Sequence, residues 1–305
     1  MKRDFLDLRS LSRQELEGLL QLAGRLKSEL KAGRQEPYLK GQALAMIFEK
    51  PSLRTRVTFE VGISQLGGYP IYMTPTDIQL ARRESVADIA RNLGRWVNLI
   101  MARTFSHATL IEMAANANVP VINGLSDMYH PCQVLADCFT ILEKRDVLDG
   151  LRIAFIGDAN NMANSWINAS MKFRFQFVLA CPQGYEPDPD VFTSARNGGA
   201  DVRVTHDVNE AAENADVLYT DVWTSMGQEE EAEKRRRDFA AFQINADLVR
   251  RAKPDAIVMH CLPAHRGEEI TSEVIDGPQS VVFDEAENRL HAQKAVMVWL
   301  ASSKI

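Results

Sequence analysis

The segment FEKPSLRTRVTFE (residues 48–60) joins an apolar stretch to an amphipathic one through a short polar junction. It continues the apolar run ALAMIF (43–48), which predicts a buried β-strand. Pro51 predicts a turn, and Ser52 is suited to cap a helix that begins directly after it. Such a helix start exposes unpaired N–H groups at the positive end of the helix dipole, a geometry that binds phosphate. The segment therefore predicts a strand, a turn and an anion-binding helix N-terminus.

The junction also concentrates polar side chains in a chain whose net charge is -6. Ser52 and Thr55 offer hydroxyl groups, and Arg54 and Arg56 offer guanidinium groups. Taken alone, this pattern is more typical of a serine-capped helix with surface arginines. Only similar polar clusters elsewhere in the chain favour an anion site.

The composition bounds the class of protein. A chain of 305 residues, 46% apolar and 25% charged, is typical of a globular protein with two domains. The mild acidity, with a pI of about 5.6, argues against a nucleic-acid or anionic-membrane partner and still allows a local cationic pocket. The N-terminal residues resemble neither a secretory leader nor a transit peptide, and no run of about 18 apolar residues occurs, so we expect a cytoplasmic protein. The four cysteines form no CxxC pair, which predicts reduced thiols.

Apolar runs alternate with helical patterns along the whole chain. This alternation predicts an α/β fold of two domains, each a mostly parallel sheet flanked by helices. We place the first domain at 1–145 and the second at 146–286, and we expect a C-terminal helix (about 287–305) that crosses back to the first domain. The predicted strands are 43–48, 69–73, 97–103, 120–123, 151–157, 176–182, 201–206, 216–221 and 256–263. The charged run EEEAEKRRRD (229–238) is most typical of a solvated helix face.

Polar side chains recur where predicted strands end. Arg103 follows one strand, His130 and Gln133 follow the next within HPCQ, and His260 ends a strand of the second domain. Ligands bind at the carboxyl ends of strands in open α/β sheets. A single histidine is more often structural than functional, but the repetition of this pattern at several strand ends, including Ser52, favours binding sites.

Five segments in order along nearly the whole chain carry a resemblance. FEKPSLRTRVTFE resembles the SxRTR phosphate loop of carbamoyltransferases, and HPCQ resembles their HPxQ element. DVWTSMGQEEE (221–231) and MHCLPAHRGEEI (259–270) resemble the SMG and HCLP elements of the ornithine branch. DEAENRLHAQKA (284–295) resembles its C-terminal arginine segment. The chain departs from that family at Leu53, where many members carry threonine, and at ARRES (81–85).

The resemblance implies transfer of the carbamoyl group of carbamoyl phosphate to the side-chain amine of ornithine, giving citrulline and phosphate without a metal or an organic cofactor. It assigns Arg54, Thr55, Arg103, His130, Asp221 and Cys261 to catalysis. It assigns carbamoyl phosphate binding to Ser52, Leu53, Arg54, Thr55, Arg103, His130, Gln133, Leu262 and Arg289, with Gln79 from a neighbouring subunit. It assigns ornithine binding to Asn161, Asp221, Ser225, Met226, Cys261 and Leu262.

Two further features of the second domain bear on this assignment. IGDANNMANS (156–165) follows a strand, but its single glycine does not fit the GxGxxG pattern of dinucleotide-binding sites. His260 and Cys261 are adjacent on a strand and so face opposite sides, which argues against a thiol nucleophile activated by that histidine. We therefore expect no covalent enzyme intermediate.

The resemblance also implies a homo-oligomer, a trimer or a multiple of trimers, in which the loop TPTDIQLARRES (74–85) completes a neighbour's site through Gln79; the roles of Arg82 and Arg83 stay open. Two alternatives are a sister carbamoyltransferase acting on putrescine or an acylated ornithine, and a catalytically silent binding protein. Asp221, Ser225 and Met226 favour ornithine over the first alternative. The intact set of phosphate-site residues weighs against the second.

Overall fold

The computed structural model describes residues 2–78, 84–225 and 227–302. The chain divides into two compact units, one made of residues up to 139 and from 287 onward, the other of residues 140–286. Each unit contains one parallel sheet. Within the described ranges, no helix is long and apolar enough to cross a bilayer.

The sheet of the first unit has the strand order β2-β1-β3-β4, and its strands pair in parallel. The strands are β1 (Ala43–Phe48), β2 (Tyr69–Met73), β3 (Leu99–Arg103) and β4 (Val121–Leu125). The helices that begin in this unit are α1 (Arg13–Lys31), α2 (Leu53–Gln65), α3 (Pro75–Ile78), α4 (Val86–Trp96), α5 (His107–Asn116) and α6 (Pro131–Arg145).

One face of this sheet is covered by α4 and α5. Alternate residues of β1, such as Ala45 and Ile47, join a buried cluster with Ile89 and Leu93 of α4 and Met113 of α5. Alternation arises because successive side chains of a strand point to opposite faces. Every residue of β1 is buried, which is expected for a central parallel strand with both faces covered.

The sheet of the second unit has the strand order β7-β6-β5-β8-β9 and is also parallel. The strands are β5 (Arg152–Ile156), β6 (Gln176–Ala180), β7 (Val202–Thr205), β8 (Val217–Thr220) and β9 (Ile257–His260). The helices that follow α6 are α7 (Asn161–Ser170), α8 (Pro189–Asn197), α9 (Val208–Ala212), α10 (Ala232–Asp238), α11 (Ala246–Val249), α12 (Ser272–Ile275) and α13 (Val282–Ser302).

Both sheets have a topological switch point, where the chain leaves neighbouring strands in opposite directions. In the first unit β2 lies on one side of β1 and β3 on the other, and in the second unit β6 and β8 flank β5. The loops that diverge at such a point leave a crevice at the carboxyl ends of the strands, and ligands bind there. In the first unit Ser52 follows β1 and Arg103 ends β3, and in the second Asn161 follows β5 and Asp221 follows β8.

The two-domain α/β fold is confirmed, and each of the nine predicted strands has a counterpart within a few residues. The C-terminal helix returns to the first unit, as predicted: Lys27 Nζ of α1 donates to Asn288 Oδ1 of α13 over 2.7 Å, and both side chains are buried. This helix begins at Val282, five residues before the predicted start at 287. The prediction that 229–238 is only a solvated face is wrong at Arg235, which is 6% exposed.

The turn from α2 to β2 depends on Gly68. A Cβ placed on Gly68 would lie 2.6 Å from the backbone oxygen of Gln42 and 2.8 Å from Ile63 Cδ1. The Gln42 oxygen accepts the Tyr69 N–H over 3.0 Å, so it cannot move without loss of that hydrogen bond.

We therefore expect Gly68→Ala to lower the free energy of unfolding by about 1–3 kcal/mol, the usual cost of overpacking. The matched control is Gly18→Ala on the exposed side of α1, where an added Cβ meets nothing within 4 Å. That control should raise stability by about 0.5–1 kcal/mol because alanine replaces glycine within a helix. Urea unfolding of both variants checks the prediction, and equal effects of the two substitutions would contradict it.

Candidate active site

The first turn of α2 forms a helix N-terminus with hydroxyl groups around it. Ser52 caps the helix in an extended conformation, and its Oγ accepts the Thr55 N–H over 3.3 Å. The turn reads LRTR and contains no carboxylate, so no side chain within it neutralises the positive end of the dipole. Leu53 is 76% exposed. Because its side chain is apolar, its backbone N–H is the hydrogen-bond donor that it can offer to a ligand.

Thr55 and Arg103 are placed by different elements of the first unit. Thr55 is fully buried, and its Oγ1 accepts a hydrogen bond of 3.0 Å from Nη2 of Arg289 on α13. Arg103 ends β3, where it is paired in register with Phe48 at the end of β1. Its carbonyl accepts the Glu49 N–H over 2.8 Å, so the loop after β1 begins directly beside it. The predicted phosphate-binding residues are therefore brought together at one edge of the sheet.

His130 lies at this edge, 4% exposed, just before α6 begins. Burial lowers the pKa of its imidazole well below the ordinary value, and the positive charges of Arg289, Arg103 and Arg54 lower that pKa further. The imidazole is therefore neutral at neutral pH and can donate a single N–H. Protonation of His130 would therefore add a further positive charge beside three guanidinium groups.

Hydrogen bonds from the buried side chain of Asn123 hold the loop before His130. The side-chain amide of Asn123 donates to the carbonyl of Leu6 over 2.8 Å and to that of Tyr129 over 3.3 Å. Gln133 is fully buried one turn into α6. This cluster of three guanidinium groups, a helix N-terminus and a neutral imidazole is suited to hold a compact dianion and to stabilise a developing oxyanion.

Asp221 is the centre of a second cluster, in the second unit. It follows β8 and is 8% exposed. Its Oδ2 accepts from the side-chain amide of Asn160 over 2.8 Å, and its Oδ1 accepts from Val222 N–H over 2.8 Å and from the Cys261 thiol over 3.0 Å. Asn160 also caps α7 through the Met162 N–H. The loops after β5, β8 and β9 therefore meet at one carboxylate.

Arg235 ties α10 to these loops. Its Nη1 donates to Asp158 Oδ2 and to the Trp223 carbonyl, each over 2.9 Å, and its Nε donates to Glu231 Oε2 over 3.1 Å. Burial raises the pKa of Asp158 to about 6, and the charge of Arg235 opposes that rise. Arg235 therefore links α10 to the loop after β5 through Asp158 and to the loop after β8 through Trp223.

His260 is engaged on both ring nitrogens. Nδ1 accepts the Leu262 N–H over 2.8 Å, so the proton is on Nε2, which donates to Glu269 Oε1 over 3.0 Å. His260 and Cys261 therefore have different partners, Glu269 and Asp221. Donor atoms of Asp221, His260 and Cys261 lie within 4.8 Å of one another, but a metal bound there would have to break these hydrogen bonds.

The structure brings the predicted site residues together in two groups. The first unit holds Ser52, Leu53, Arg54, Thr55, Arg103, His130, Gln133 and Arg289, and the second holds Asn161, Asp221, Ser225, Cys261 and Leu262. Gln79, Arg82, Arg83 and Met226 lie outside the described residues. Two residues of the second cluster, Asn160 and Arg235, were not predicted from the sequence. Asn160 could have been considered because it directly precedes the predicted Asn161. Arg235 lies in a charged run, in which the sequence gives no reason to select one arginine.

Comparison with known proteins agrees with this arrangement. The family model of the aspartate/ornithine carbamoyltransferase carbamoyl-P binding domain matches residues 3–143, and that of the Asp/Orn binding domain matches residues 149–300. The chain belongs to the aspartate/ornithine carbamoyltransferase family.

Among its relatives, ornithine carbamoyltransferase of Thermococcus kodakarensis is 56% identical over 97% of this chain and 95% of its own. The structure of ornithine carbamoyltransferase from Pyrococcus furiosus superposes with a TM-score of 0.94 at 51% identity, covering 97% of this chain and 96% of that one. A structure of N-acetyl-L-ornithine transcarbamylase is more distant, with 30% identity, a TM-score of 0.87 and coverage of 98% and 99%.

The four cysteines are free thiols of very different accessibility. Cys261 is partly exposed, whereas the other three are buried. Burial raises the pKa of Cys132 and of Cys181 to about 12, and burial is also the main cause of the raised pKa of Cys138. The thiolate is the reactive form, so these three should react slowly.

We expect iodoacetamide to alkylate Cys261 selectively in the native protein, with the other three modified only after denaturation. Mass spectrometry of proteolytic peptides checks the result. Cys261→Ser should abolish native labelling, and the matched control Cys181→Ser should leave it unchanged. Alkylation of Cys132, Cys138 or Cys181 at a rate close to that of Cys261 would show that this ranking is wrong.

Proposed function

We propose that this protein transfers the carbamoyl group of carbamoyl phosphate to the side-chain amine of L-ornithine, giving citrulline and phosphate. The observation that carries the proposal is the placement of two arginines beside the α2 N-terminus: Arg289 donates to Thr55 Oγ1 over 3.0 Å, and Arg103 pairs in register with Phe48 at the end of β1. A compact dianion next to a reacting carbonyl is the ligand that such a set of donors fits. The relatives named as ornithine carbamoyltransferases support ornithine as the acceptor.

The roles in the first unit follow from donor chemistry. Ser52, Arg54, Thr55 and Arg103, with the Leu53 N–H, bind the phosphate through charge-assisted and backbone hydrogen bonds. Thr55, Arg103 and His130 polarise the carbamoyl oxygen. Arg289 completes the pocket and holds Thr55 in place. Gln133 binds the carbamoyl nitrogen.

The reaction itself is an acyl-type transfer. The neutral side-chain amine attacks the carbamoyl carbon, a tetrahedral intermediate forms, the C–O bond to phosphate breaks, and the proton lost by the amine leaves with the phosphate. The oxygen of the intermediate carries the developing charge, and preorganised donors stabilise it more than they stabilise the ground state. A neutral His130 suits this role because it donates a hydrogen bond without adding a further charge.

The second unit binds ornithine in this proposal. Asn161 and the backbone at Met226 bind the α-carboxylate, and Asp221 and Ser225 bind the α-ammonium. The Cys261 thiol and the Leu262 carbonyl guide the attacking amine, and Leu262 also contacts carbamoyl phosphate. Asp221 already orders Asn160 and Cys261 through hydrogen bonds, so its carboxylate is rigidly placed before substrate binds.

An acylated ornithine is the alternative acceptor, favoured by the similarity to N-acetyl-L-ornithine transcarbamylase at 30% identity. The higher identity to ornithine enzymes and the carboxylate of Asp221, suited to a free α-ammonium, favour ornithine. Incubation of the purified protein with carbamoyl phosphate and ornithine, N-acetylornithine or putrescine distinguishes these acceptors by the ureido product formed. A product from N-acetylornithine or putrescine alone would refute the proposal. Cytoplasmic localisation stays a prediction from the sequence.

Arg54→Ala removes one phosphate donor and should cost about 3 kcal/mol of transition-state stabilisation, as loss of an oxyanion-site donor does. We expect kcat/KM for carbamoyl phosphate to fall by two orders of magnitude or so. The matched control is Arg25→Ala on α1, which removes the same charge from a side chain that is 59% exposed. Its kinetics should equal those of the unmodified protein. Near-normal turnover of Arg54→Ala would show that the α2 N-terminus does not bind the phosphate.

We further propose that the protein is a homo-oligomer, a trimer or a multiple of trimers. Leu53, Val57 and Val61 lie four residues apart on α2 and are 76%, 45% and 39% exposed. Tyr69 and Ile71 on the edge strand β2 are 52% and 41% exposed. An exposed apolar stripe beside an open sheet edge supports association with a second copy. A head-to-tail contact closes into a ring when the rotation between neighbouring copies closes, as in a trimer.

In such a ring, Gln79 of one subunit completes the carbamoyl phosphate site of the next. Mixing Gln79→Ala with Arg103→Ala under conditions of subunit exchange should then regenerate about a quarter of the sites, because each chain supplies what its neighbour lacks. Steady-state citrulline formation measures the recovery, provided that each variant alone is severely impaired. Mixing Arg54→Ala with Arg103→Ala is the control: both residues serve the same chain's pocket, so activity should stay low. A dilute monomer with full activity would refute the shared site.

A further inference from the structure

We propose that Asp137 is a positioning residue: it orients the side-chain amide of Gln133 so that the site accepts an acyl phosphate bearing N–H groups and rejects one bearing a methyl group. The inference rests on the proposed function, in which Gln133 binds the carbamoyl nitrogen. It adds a second residue to that contact and assigns the pair a role in substrate selection.

The geometry places the two side chains one helical turn apart. Gln133 and Asp137 are four residues apart on α6, so they lie on the same face of the helix. Gln133 Nε2 lies 2.8 Å from Asp137 Oδ1, and neither side chain has exposed surface. Burial strengthens such a contact because the local dielectric is low and water does not compete for it.

The chemistry of the two groups decides which end of the amide faces Asp137. A carboxylate oxygen accepts hydrogen bonds, whereas a side-chain amide donates from its nitrogen and accepts at its oxygen, and here Nε2 of Gln133 donates to Oδ1 of Asp137. The opposite orientation would set two acceptor oxygens against each other in a buried position, which is costly. The hydrogen bond to Asp137 therefore fixes the position of Nε2 of Gln133. The amide oxygen Oε1 then lies on the other branch of the planar amide group.

An acceptor is what a carbamoyl nitrogen requires. The NH₂ of a carbamoyl group donates two hydrogen bonds, and its lone pair is delocalised into the carbonyl. Acetyl phosphate has the same phosphate and carbonyl and nearly the same shape, but a methyl group replaces the NH₂. The donors Arg54, Thr55 and Arg103 would bind the shared part of the two molecules, so they cannot separate them. A hydrogen-bond acceptor fixed beside the carbamoyl nitrogen can distinguish the two molecules. When acetyl phosphate binds, this buried acceptor has no donor, which strongly weakens binding of the methyl analogue.

The first test uses the unmodified protein. Citrulline formation is measured first, which establishes the proposed function separately. Acetyl phosphate is then added as a competitor of carbamoyl phosphate, and we expect its inhibition constant to exceed the KM for carbamoyl phosphate by about a hundredfold or more. An inhibition constant close to that KM, with citrulline formation intact, would overturn the inference and leave the proposed function standing.

The second test uses Asp137→Asn, which keeps the shape but can donate as well as accept, so that Gln133 is no longer held in one orientation. We expect kcat/KM for carbamoyl phosphate to fall about tenfold, the factor that corresponds to one ordinary hydrogen bond. The inhibition constant of acetyl phosphate should change less than about twofold, and the KM for ornithine should not change. Equal losses for both acyl phosphates would indicate a merely structural role and overturn the inference.

A double-mutant cycle with Gln133→Leu separates the two residues. If Asp137 acts through Gln133, Asp137→Asn should have no further effect on the discrimination ratio in the Gln133→Leu background. Independent, multiplicative effects of the two substitutions would overturn the inference. Should Asp137→Asn fail to fold, Asp137→Ser replaces it in the same cycle, and the competition measurement on the unmodified protein still decides the outcome.

Discussion

The gathering of three arginine charges around one buried imidazole is the constraint on which the first unit depends. Arg54, Arg103 and Arg289 lie close enough to His130 for their charges to lower its pKa. Like charges at such a site destabilise the folded protein, since burial weakens the screening that water supplies. Three separate elements hold them in place: the first turn of α2, the end of β3 and the C-terminal helix α13. A bound dianion would offset these like charges, so the cluster favours binding of a phosphate group.

The sheet of the second unit also has a switch point, but the cluster there is built on a negative charge. Its centre is a single carboxylate, Asp221, whose oxygens accept three hydrogen bonds from the loops around the switch point. Arg235 links α10 to Asp158 and to the Trp223 carbonyl, and Nδ1 of His260 accepts the Leu262 N–H. A cation such as an ammonium group needs a rigid acceptor of this kind, whereas a phosphate needs converging donors. The charge of each cluster therefore matches the charge of the group proposed to bind there.

Much of this architecture could be predicted from the sequence, because buried parallel strands are continuous apolar runs and ligand-binding residues follow them directly. The predicted phosphate cluster was identified by that local rule together with the family resemblance. Residues whose role depends on distant partners escaped it. Asn160 bonds to a residue 61 positions away, and Arg235 bonds to one 77 positions away. Arg235 also lies in a run of like residues, in which periodicity gives no reason to choose one arginine over its neighbours.

The neutral state of His130 sets how the phosphate cluster behaves with pH. Guanidinium groups stay protonated throughout the range in which proteins are folded. Burial and the three arginines together keep the imidazole uncharged at neutral pH, since protonation would add a fourth positive charge to the cluster. The charge of the cluster is consequently constant around neutral pH. The cluster itself therefore gives acyl phosphate affinity no pH dependence in that range.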